Sequence, residues 1–226
     1  MKPARRWAAS LTGLTIALVI PAVLTSAGSF ATADYDGDAI DAVLLNEIVV
    51  WILAFAIMLL VRFWEKRPLS SIGFVRPVWP GVRFGLLVVF GLLALAASAA
   101  AGIQALGVPV PTEPNEFILA LPLWLQLCVS ISAGFTEETL FRGYAIERAT
   151  ELTGSRWLGA IVPIVVFGAI HAPFWGWAHA FVAGLTGVWL TLIYLWRRNL
   201  WTNITAHALM NSIVFIAIYA LGDAAK

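Results

Sequence analysis

Long apolar runs separated by short polar connections dominate the chain. Seven such runs are present, and most approach the roughly 20 residues that a helix needs to cross a membrane. The fourth run is longer than a simple span, so we expect it to tilt or to leave the bilayer as an interfacial turn. The pattern predicts an all-α polytopic transmembrane helical bundle of about seven or eight spans. The runs cover residues 7–27, 43–63, 80–106, 120–149, 157–173, 178–196 and 200–221.

The composition supports a membrane protein rather than a soluble domain. Of the 226 residues, 61% are hydrophobic and 12% are charged, whereas soluble domains carry roughly 25% charged residues. The net charge of +1 gives no reason to expect a nucleic-acid partner. The single cysteine, Cys128, excludes an intrachain disulfide and a multi-cysteine metal site. Membrane lipid is the expected immediate partner, and the sequence leaves the oligomeric state open.

Basic residues fall on every second connection, as the positive-inside rule requires. Arg62, Lys66 and Arg67 follow the second run, and Arg197 and Arg198 follow the sixth. The connection between the first two runs holds four aspartates and no basic residue. This distribution predicts a multi-pass protein of the cell (plasma) membrane, with its amino terminus inside and its carboxyl terminus outside.

The amino-terminal run has two interpretations. Its basic start, its apolar stretch and the sequence Ala31-Thr32-Ala33 resemble a signal peptide with a cleavage site. The apolar stretch is about 20 residues, whereas that of a signal peptide is about 7 to 15. We therefore favour an uncleaved membrane anchor.

The fourth run carries charges that a membrane span rarely tolerates. It contains Glu137-Glu138-Thr139-Leu140-Phe141-Arg142, and each charged group near the centre of a span costs about 2.5–3.5 kcal/mol. A chain keeps such groups when they face a cavity, so we expect a polar cavity inside the bundle. Residues four apart share a helix face. Glu138 and Arg142 are therefore expected to form an ion pair, which leaves Glu137 without a partner on its own helix.

Two later runs add polar groups at a similar depth. His171 lies in the fifth run, and His207 and Asn211 lie one turn apart in the seventh. At 1.5 Å per residue, Glu137, His171, His207 and Asn211 fall about 15, 21, 10 and 17 Å from the inner interface. Three spans thus place polar groups in overlapping layers of the membrane, which predicts that these groups converge.

Such side chains suit the hydrolysis of an amide bond, which needs a group that activates water and donors for the developing oxyanion. Glu137 is the candidate base. His171 is the candidate to orient the water, and His207 with Asn211 would supply the donors. The aromatic residues that share helix faces with the base and with the first histidine are the candidate substrate-binding residues, namely Phe141 and Phe167.

Other chemistries for these residues are also considered. His171, His207 and Glu137 could hold a divalent metal such as zinc with one position open, although the stronger zinc signal, a His-Glu-x-x-His helix, is absent. Nucleophilic catalysis by a hydroxyl is disfavoured because no such group pairs evidently with a histidine. Thr136 and Thr139 are close by, but threonines in helices usually bond to their own backbone.

Structural interpretations compete with the catalytic one. The two glutamates and Arg142 could form a buried ion cluster that ties helices together. A lone histidine on an apolar face is more often a hydrogen-bonded packing residue than a functional one. His179 is expected to be such an interfacial residue, and Glu47 is expected near the outer end of its span, where it can extend to water.

The polar residues together resemble the CPBP family, the CAAX-protease and bacteriocin-processing family of intramembrane endopeptidases, which includes type II CAAX prenyl endopeptidases. The resemblance covers residues 117–221. Each motif alone is weak, but three in order at family-like spacing form a strong signal. The motifs are Glu-Glu-x-x-x-Arg at 137–142, Phe-x-x-x-His at 167–171 and His-x-x-x-Asn at 207–211.

The resemblance implies a helical bundle with a membrane cavity open toward the cytoplasmic side. It implies peptidase activity in which Glu137 is the catalytic base, His171 is its partner, and His207 with Asn211 stabilises the oxyanion. Its substrate would be a membrane-associated peptide or a lipidated, CAAX-type protein. Residues 1–116 would form amino-terminal transmembrane helices with a cytoplasmic connection, and residues 117–226 would form the CPBP-like catalytic core.

Two functions from other classes remain as alternatives to the endopeptidase. Carboxylates and histidines inside a membrane also build proton relays, so the chain could be a proton-coupled transporter. Some bacterial relatives look like immunity or regulatory scaffolds, so the chain could also be a non-catalytic membrane partner.

Overall fold

The computed structural model describes residues 3–26, 39–109, 117 and 120–224. These residues form helices, turns and short connections with no strand, which confirms the all-α prediction. The cleavage-site residues 31–33 and the first three aspartates of the acidic connection lie outside the described residues. The helices are α1 (Pro3–Leu14, then π-helical Thr15–Val19, then Ile20–Ser26), α2 (Ala39–Leu59, then π-helical Leu60–Trp64), α3 (Trp79–Ala105), α4 (Leu123–Glu137, then π-helical Glu138–Ile146, then Glu147–Thr153), α5 (Arg156–Ala169), α6 (Ala172–Arg197) and α7 (Leu200–Ala224).

Each predicted run corresponds to one of these seven helices. Five of them, α1, α2, α3, α6 and α7, are long and apolar enough to cross a membrane. Helix α4 is interrupted by its charged segment, and α5 has 14 residues, which extend about 21 Å in a hydrocarbon layer of about 30 Å. The protein is therefore an integral multi-pass membrane protein. The division into an amino-terminal part and a catalytic core at residue 116 stays a prediction.

The connection between α5 and α6 differs from the prediction. The sequence placed the connection at Phe174–Trp177 and began the sixth run at residue 178. In the structure α5 ends at Ala169, α6 already begins at Ala172, and the backbone breaks at Gly176 with φ 80° and ψ 165°. Glycine adopts such positive φ values without a Cβ clash. The break is therefore confined to Gly176, and the residues on either side of it are helical. As a result, His171 and His179 lie on the two sides of a helix break inside the bundle.

One end of the bundle is tightly packed. We call it the basic end, because α2, α4 and α6 finish there, α3, α5 and α7 begin there, and the connections between them carry most of the basic residues. Four large side chains near it, Tyr144, Arg148, Tyr194 and Leu200, have no exposed surface. Elsewhere the outer faces of the helices are apolar, as on α5, where Leu158, Ile161, Val162 and Val165 are 52% to 62% exposed. Such a surface suits contact with lipid.

Small residues bring α4 and α7 close together beside the polar groups. A Cβ atom added at Gly134 would lie 2.8 Å from the Cβ of Ala208, so only a glycine fits at this crossing. Small residues at crossings let helix backbones approach in this way. The contact brings the carboxylates that follow Gly134 on α4 close to His207 on α7.

Candidate active site

A cavity of about 780 Å³ lies in the half of the bundle away from the basic end. Most of its wall is apolar. Helix α4, the turn between α5 and α6, and helix α7 contribute the polar groups that sequence analysis selected, and α2 contributes two more. Among the predicted site residues, those that line the cavity are Glu137, Phe141, Phe167, His171, His207 and Asn211.

Glu138 and Arg142 lie behind the cavity wall as a buried, fully paired group. The Glu138 side chain has no exposed surface and the Arg142 side chain is 1% exposed. Arg142 Nη1 donates to Glu138 Oε1 at 2.8 Å, which confirms the predicted ion pair, and Arg142 Nη2 donates to the Gly187 carbonyl at 3.2 Å. The second carboxylate oxygen of Glu138 accepts from Asn203 Nδ2 at 3.1 Å. The charges of Glu138 and Arg142 therefore neutralise each other, and protein groups satisfy their hydrogen bonds.

The backbone around these charges is not the regular α-helix that the spacing argument assumed. Residues Glu138–Ile146 form a π-helical segment, in which hydrogen bonds run from residue i to i+5, and such segments occur frequently at functional sites. All nine of its side chains are buried. The predicted pairing of Glu138 with Arg142 survives because the π-helix still brings residues four apart together on one side.

Glu137 is the unpaired carboxylate of the site. Its side chain is 26% exposed, and its Oε2 atom lies 3.9 Å from His207 Nε2. That oxygen is buried and has no hydrogen-bond donor among the described residues. The gap of 3.9 Å is too long for a direct hydrogen bond, so both groups remain available to water or to a substrate.

His207 is fixed by Glu138 and aimed at Glu137. Its Nδ1 lies 2.9 Å from Glu138 Oε1. Because an ionised carboxylate only accepts hydrogen bonds, Nδ1 carries the proton in this contact. The other nitrogen, Nε2, faces the cavity. A carboxylate that orients a histidine in this way sets which ring nitrogen is left for chemistry.

His171 is fixed in a similar way by its own backbone. Its Nδ1 lies 2.7 Å from the Phe167 carbonyl oxygen, and a carbonyl only accepts, so Nδ1 again carries the proton. The ring packs on Phe167, with centroids 4.9 Å apart. Its Nε2 therefore keeps its lone pair and can accept a hydrogen bond from water.

The two aromatic residues that are predicted to bind substrate both line the cavity. Phe141 and Phe167 meet edge to face, with centroids 5.3 Å apart, and the Arg142 guanidinium lies 4.1 Å from the Phe167 ring centroid. They are only 1% and 2% exposed. Their role in substrate binding stays a prediction. In the structure Phe167 packs against His171, His207 and Arg142, and Phe141 packs against Phe167.

Two threonines beside the glutamates are bonded to their own helix, as expected. Thr136 Oγ1 donates to the Ser132 carbonyl at 2.9 Å, and Thr139 Oγ1 donates to the Phe135 carbonyl at 2.6 Å. This confirms the reason for setting these hydroxyls aside as nucleophiles.

Comparison with known families agrees with the motifs. Residues 119–213 match the family model described as Type II CAAX prenyl endopeptidase Rce1-like. This segment is a CAAX protease family domain. The resemblance seen in the three motifs is thereby confirmed, and all three lie within the matched residues. No curated protein and no solved structure matches the chain.

The match supports a CAAX-type intramembrane endopeptidase at the level of the family. A peptide or prenylated protein in the membrane is the substrate class that the family implies. The roles of individual residues and the catalytic type are not part of this match, and they belong to the proposal that follows.

The structure places further polar residues in the cavity wall, which sequence analysis did not assign to the site. Glu47 and Asn46 of α2 line the cavity, so Glu47 does not simply extend to water at the end of its span. His179 also lines it and stacks on His171, with centroids 6.0 Å apart, rather than lying at an interface. The sequence contains a signal for Glu47, which is a carboxylate within an apolar run. It also contains one for Asn203, which bonds Glu138 and precedes His207 by the same four residues that separate His207 from Asn211.

The described residues contain no preformed group of three His, Cys, Asp or Glu side chains placed to hold a metal ion. His207 has already committed Nδ1 to Glu138, which leaves one nitrogen of each histidine and Glu137 as candidate donors. A divalent metal such as zinc stays a prediction, and elemental analysis of the purified protein is the measurement that tests it.

Proposed function

We propose that the protein is an intramembrane endopeptidase of the plasma membrane that hydrolyses a peptide bond of a membrane-associated or lipidated (CAAX-type) protein or peptide. Water activated by Glu137 is the nucleophile. The observation that carries this proposal is the contrast between two adjacent carboxylates. Glu138 is saturated by Arg142, Asn203 and His207, whereas Glu137 faces the cavity with an unpaired oxygen, 3.9 Å from His207 Nε2.

The first step is the activation of water. A water molecule bound between Glu137 and His171 donates one hydrogen bond to the free carboxylate oxygen and the other to His171 Nε2. As the water oxygen attacks the carbonyl carbon of the scissile bond, its proton passes to Glu137. A positioned general base of this kind contributes about 10²- to 10⁴-fold to a rate.

The second requirement is stabilisation of the negative charge on the carbonyl oxygen. Asn211 lines the same cavity and can donate through its amide. His207 becomes a donor toward the cavity when Nε2 is also protonated. This second proton is present before the water reacts: the His207 cation, Arg142 and the carboxylates of Glu137 and Glu138 then sum to zero net charge, which makes the cation acceptable inside the membrane. When Glu137 takes the proton of the water, the oxyanion carries the negative charge that Glu137 loses.

The third step is release of the amine. The tetrahedral intermediate collapses, the carbon–nitrogen bond breaks, and Glu137 returns the proton that it took from water to the leaving nitrogen. The products are a carboxylic acid and an amine, which become a carboxylate and an ammonium group when the acid passes its proton to the amine, and the enzyme regains its starting protonation state. Glu138 and Arg142 do not touch the substrate in this scheme and act by positioning His207.

The test compares the parent protein with Glu137→Gln, which removes the charge but keeps the shape. Membranes that contain either protein are analysed for new peptide termini by mass spectrometry, and a cleaved substrate is then assayed with the purified, reconstituted proteins. We expect termini that depend on Glu137. Cleavage by Glu137→Gln at the parent rate would reject Glu137 as the base. Full biological activity of a Glu137→Ala, His207→Ala double variant would instead favour a non-catalytic partner.

A further inference from the structure

A second carboxylate lines the cavity besides Glu137. Glu47 of α2 faces the cavity, and its Oε2 atom is buried with no hydrogen-bond donor among the described residues. Its charge interacts with that of Glu137, so the two carboxylates share one region of the cavity. The proposed reaction uses Glu137 and gives Glu47 no task. Glu47 lies outside residues 119–213, so it belongs to a part of the chain that the family model does not cover.

Two further oxygens without partners lie beside Glu47. Asn46 is its neighbour on α2, and Ser132 of α4 lies against its side chain. Asn46 Oδ1 and Ser132 Oγ are buried, and neither forms a hydrogen bond within the part of the chain that the structure describes. Ser132 is only 5% exposed. Buried polar atoms usually have partners because an unpaired one is costly, so three such oxygens in one place indicate a ligand that donates hydrogen bonds.

Charge balance indicates that this ligand is a cation. Of the described residues that line the cavity, none is a lysine or an arginine. In the proposed mechanism, the cation of His207 and the guanidinium of Arg142 balance the two adjacent carboxylates of α4. An ionised Glu47 then has no counter-charge among the described residues of the wall. Because a buried charge is tolerated when it is paired, a positively charged ligand group beside Glu47 would supply what the wall lacks.

A primary ammonium group matches these oxygens better than a metal ion does. The lysine ammonium has three N–H donors and no acceptor, which suits three oxygens that lack donors. A hard cation such as Ca²⁺ takes about six to eight oxygen ligands. Most of the cavity wall is apolar, and an apolar wall suits the hydrocarbon stem of a lysine side chain.

The three oxygens lie near the proposed base. Ser132 precedes Glu137 by five residues on α4, or about 7.5 Å along the helix. An extended peptide covers that distance in about two residues. A lysine within about two residues of the scissile bond can therefore reach Glu47 while the bond lies at Glu137.

We propose that Asn46, Glu47 and Ser132 form a cation subsite, which binds a lysine side chain of the peptide substrate within about two residues of the scissile bond. Glu47 is then a specificity-determining residue. The proposal rests on the proposed function in that Glu137 marks the position of the reacting bond. Binding of the ammonium group itself needs no turnover.

The first experiment measures binding in a Glu137→Gln background, reconstituted in nanodiscs. The probe is a short apolar peptide, blocked at both ends, with one lysine and one photoreactive diazirine residue. A matched peptide has norleucine in place of lysine, which removes the ammonium group and keeps the stem. Cross-links to the cavity wall are measured by mass spectrometry at equal peptide concentrations in the bilayer. Glu47→Gln is added to this background, and the control is Glu151→Gln, a carboxylate at the basic end whose side chain is 41% exposed.

We expect the lysine peptide to cross-link at least about tenfold more than the norleucine peptide, because only the lysine peptide can donate charged hydrogen bonds. Glu47→Gln should abolish this preference, and Glu151→Gln should retain it. Equal cross-linking of the two peptides, including none by either, would overturn the proposal. A preference that persists in Glu47→Gln would also overturn it.

The second experiment separates the subsite from the peptidase activity. Membranes that contain the parent protein, Glu137→Gln or Glu47→Gln are analysed for new peptide termini. We expect the termini that depend on Glu137 to have a lysine within about two residues of the cleaved bond, and to fall about tenfold in Glu47→Gln. Lysine-dependent binding without such termini would reject the peptidase and keep the subsite. Termini that depend on Glu137, with no lysine dependence of binding, would reject the subsite and keep the peptidase.

Discussion

The two halves of the bundle treat buried charge in opposite ways. At the basic end, Glu65 is bonded to both Arg148 and Tyr144, and every polar atom of this cluster has a partner. In the cavity half, oxygens of Asn46, Glu47 and Glu137 are buried with no partner among the residues that the structure describes. Unpaired buried polar groups are costly, so the second arrangement points to a ligand or water in the cavity, and the first to stability.

The ion pair between Glu138 and Arg142 lies at the boundary of these halves. On one side it is part of the packed interior, and on the other its Glu138 oxygen holds His207 in place at 2.9 Å. The buried ion pair thus fixes the position of His207, a residue of the cavity wall. The predictions below change one half at a time.

The largest expected effect is on activity when Glu137 becomes glutamine. Loss of a general base should lower kcat/KM by about 10²- to 10⁴-fold, while thermal unfolding of the detergent-solubilised protein should be unchanged because this carboxylate makes no hydrogen bond to lose. A large fall in the unfolding temperature would show that Glu137 belongs with the stabilising charges after all.

The next effect is on stability when Glu65 becomes glutamine. This leaves Arg148 buried with only the more distant Glu151 carboxylate, at 3.4 Å, as counter-charge, and removal of one partner of a buried ion pair costs about 3–5 kcal/mol. The matched control is Arg198→Gln, which removes an ion pair with Glu147 in which the arginine side chain is 58% exposed, where the loss should be about 0–1 kcal/mol. Equal losses in the two variants, measured by denaturant unfolding, would contradict the distinction.

A smaller effect is expected at the crossing of α4 and α7. Gly134→Ala places a methyl group against Ala208 and should cost about 1–3 kcal/mol, with a loss of activity because His207 is moved relative to Glu138. Gly102→Ala is the control, since no described atom outside the neighbouring turns of its own helix lies within 4 Å of the added Cβ. Both variants can be followed by thermal unfolding and by turnover. A Gly134→Ala protein with parental values of both would show that this contact does not position His207.

The smallest effect on stability is expected for Glu47→Gln. The same chemical change that weakens the packed half at Glu65 should leave stability unchanged or slightly higher here, because it removes the charge of a carboxylate whose Oε2 is buried with no donor among the described residues. Denaturant unfolding of Glu47→Gln and Glu65→Gln under the same conditions gives the sign of each change in the free energy of unfolding. Destabilisation of Glu47→Gln on the scale of Glu65→Gln would mean that Glu47 has a structural partner.

Much of the fold followed from local pattern. Runs of about 20 apolar residues predict helices because a bilayer leaves the backbone no other partners, and the seven helices lie where these runs do. The pairing of Glu138 with Arg142 also followed from spacing on one helix. The three motifs were sufficient to indicate the family, because each joins residues only four or five positions apart in the sequence.

Contacts between distant helices could not be predicted in the same way. The placement of Glu47 and His179 in the cavity depends on a helix break at Gly176 and on how α2 packs against α4, and neither is encoded in a local period. The bonds of Glu65 to Tyr144 and Arg148 join residues about 80 positions apart.

The sequence by itself determined which segments are helical and which residues could do chemistry, because these depend on hydrophobicity and local spacing. Only the tertiary structure decided that Glu137 Oε2 finds no partner on another described helix either, that Glu138 also holds His207, and at which end of the bundle the cavity lies. Those properties depend on how close groups on different helices come, and a few ångströms separate a hydrogen bond from an empty site.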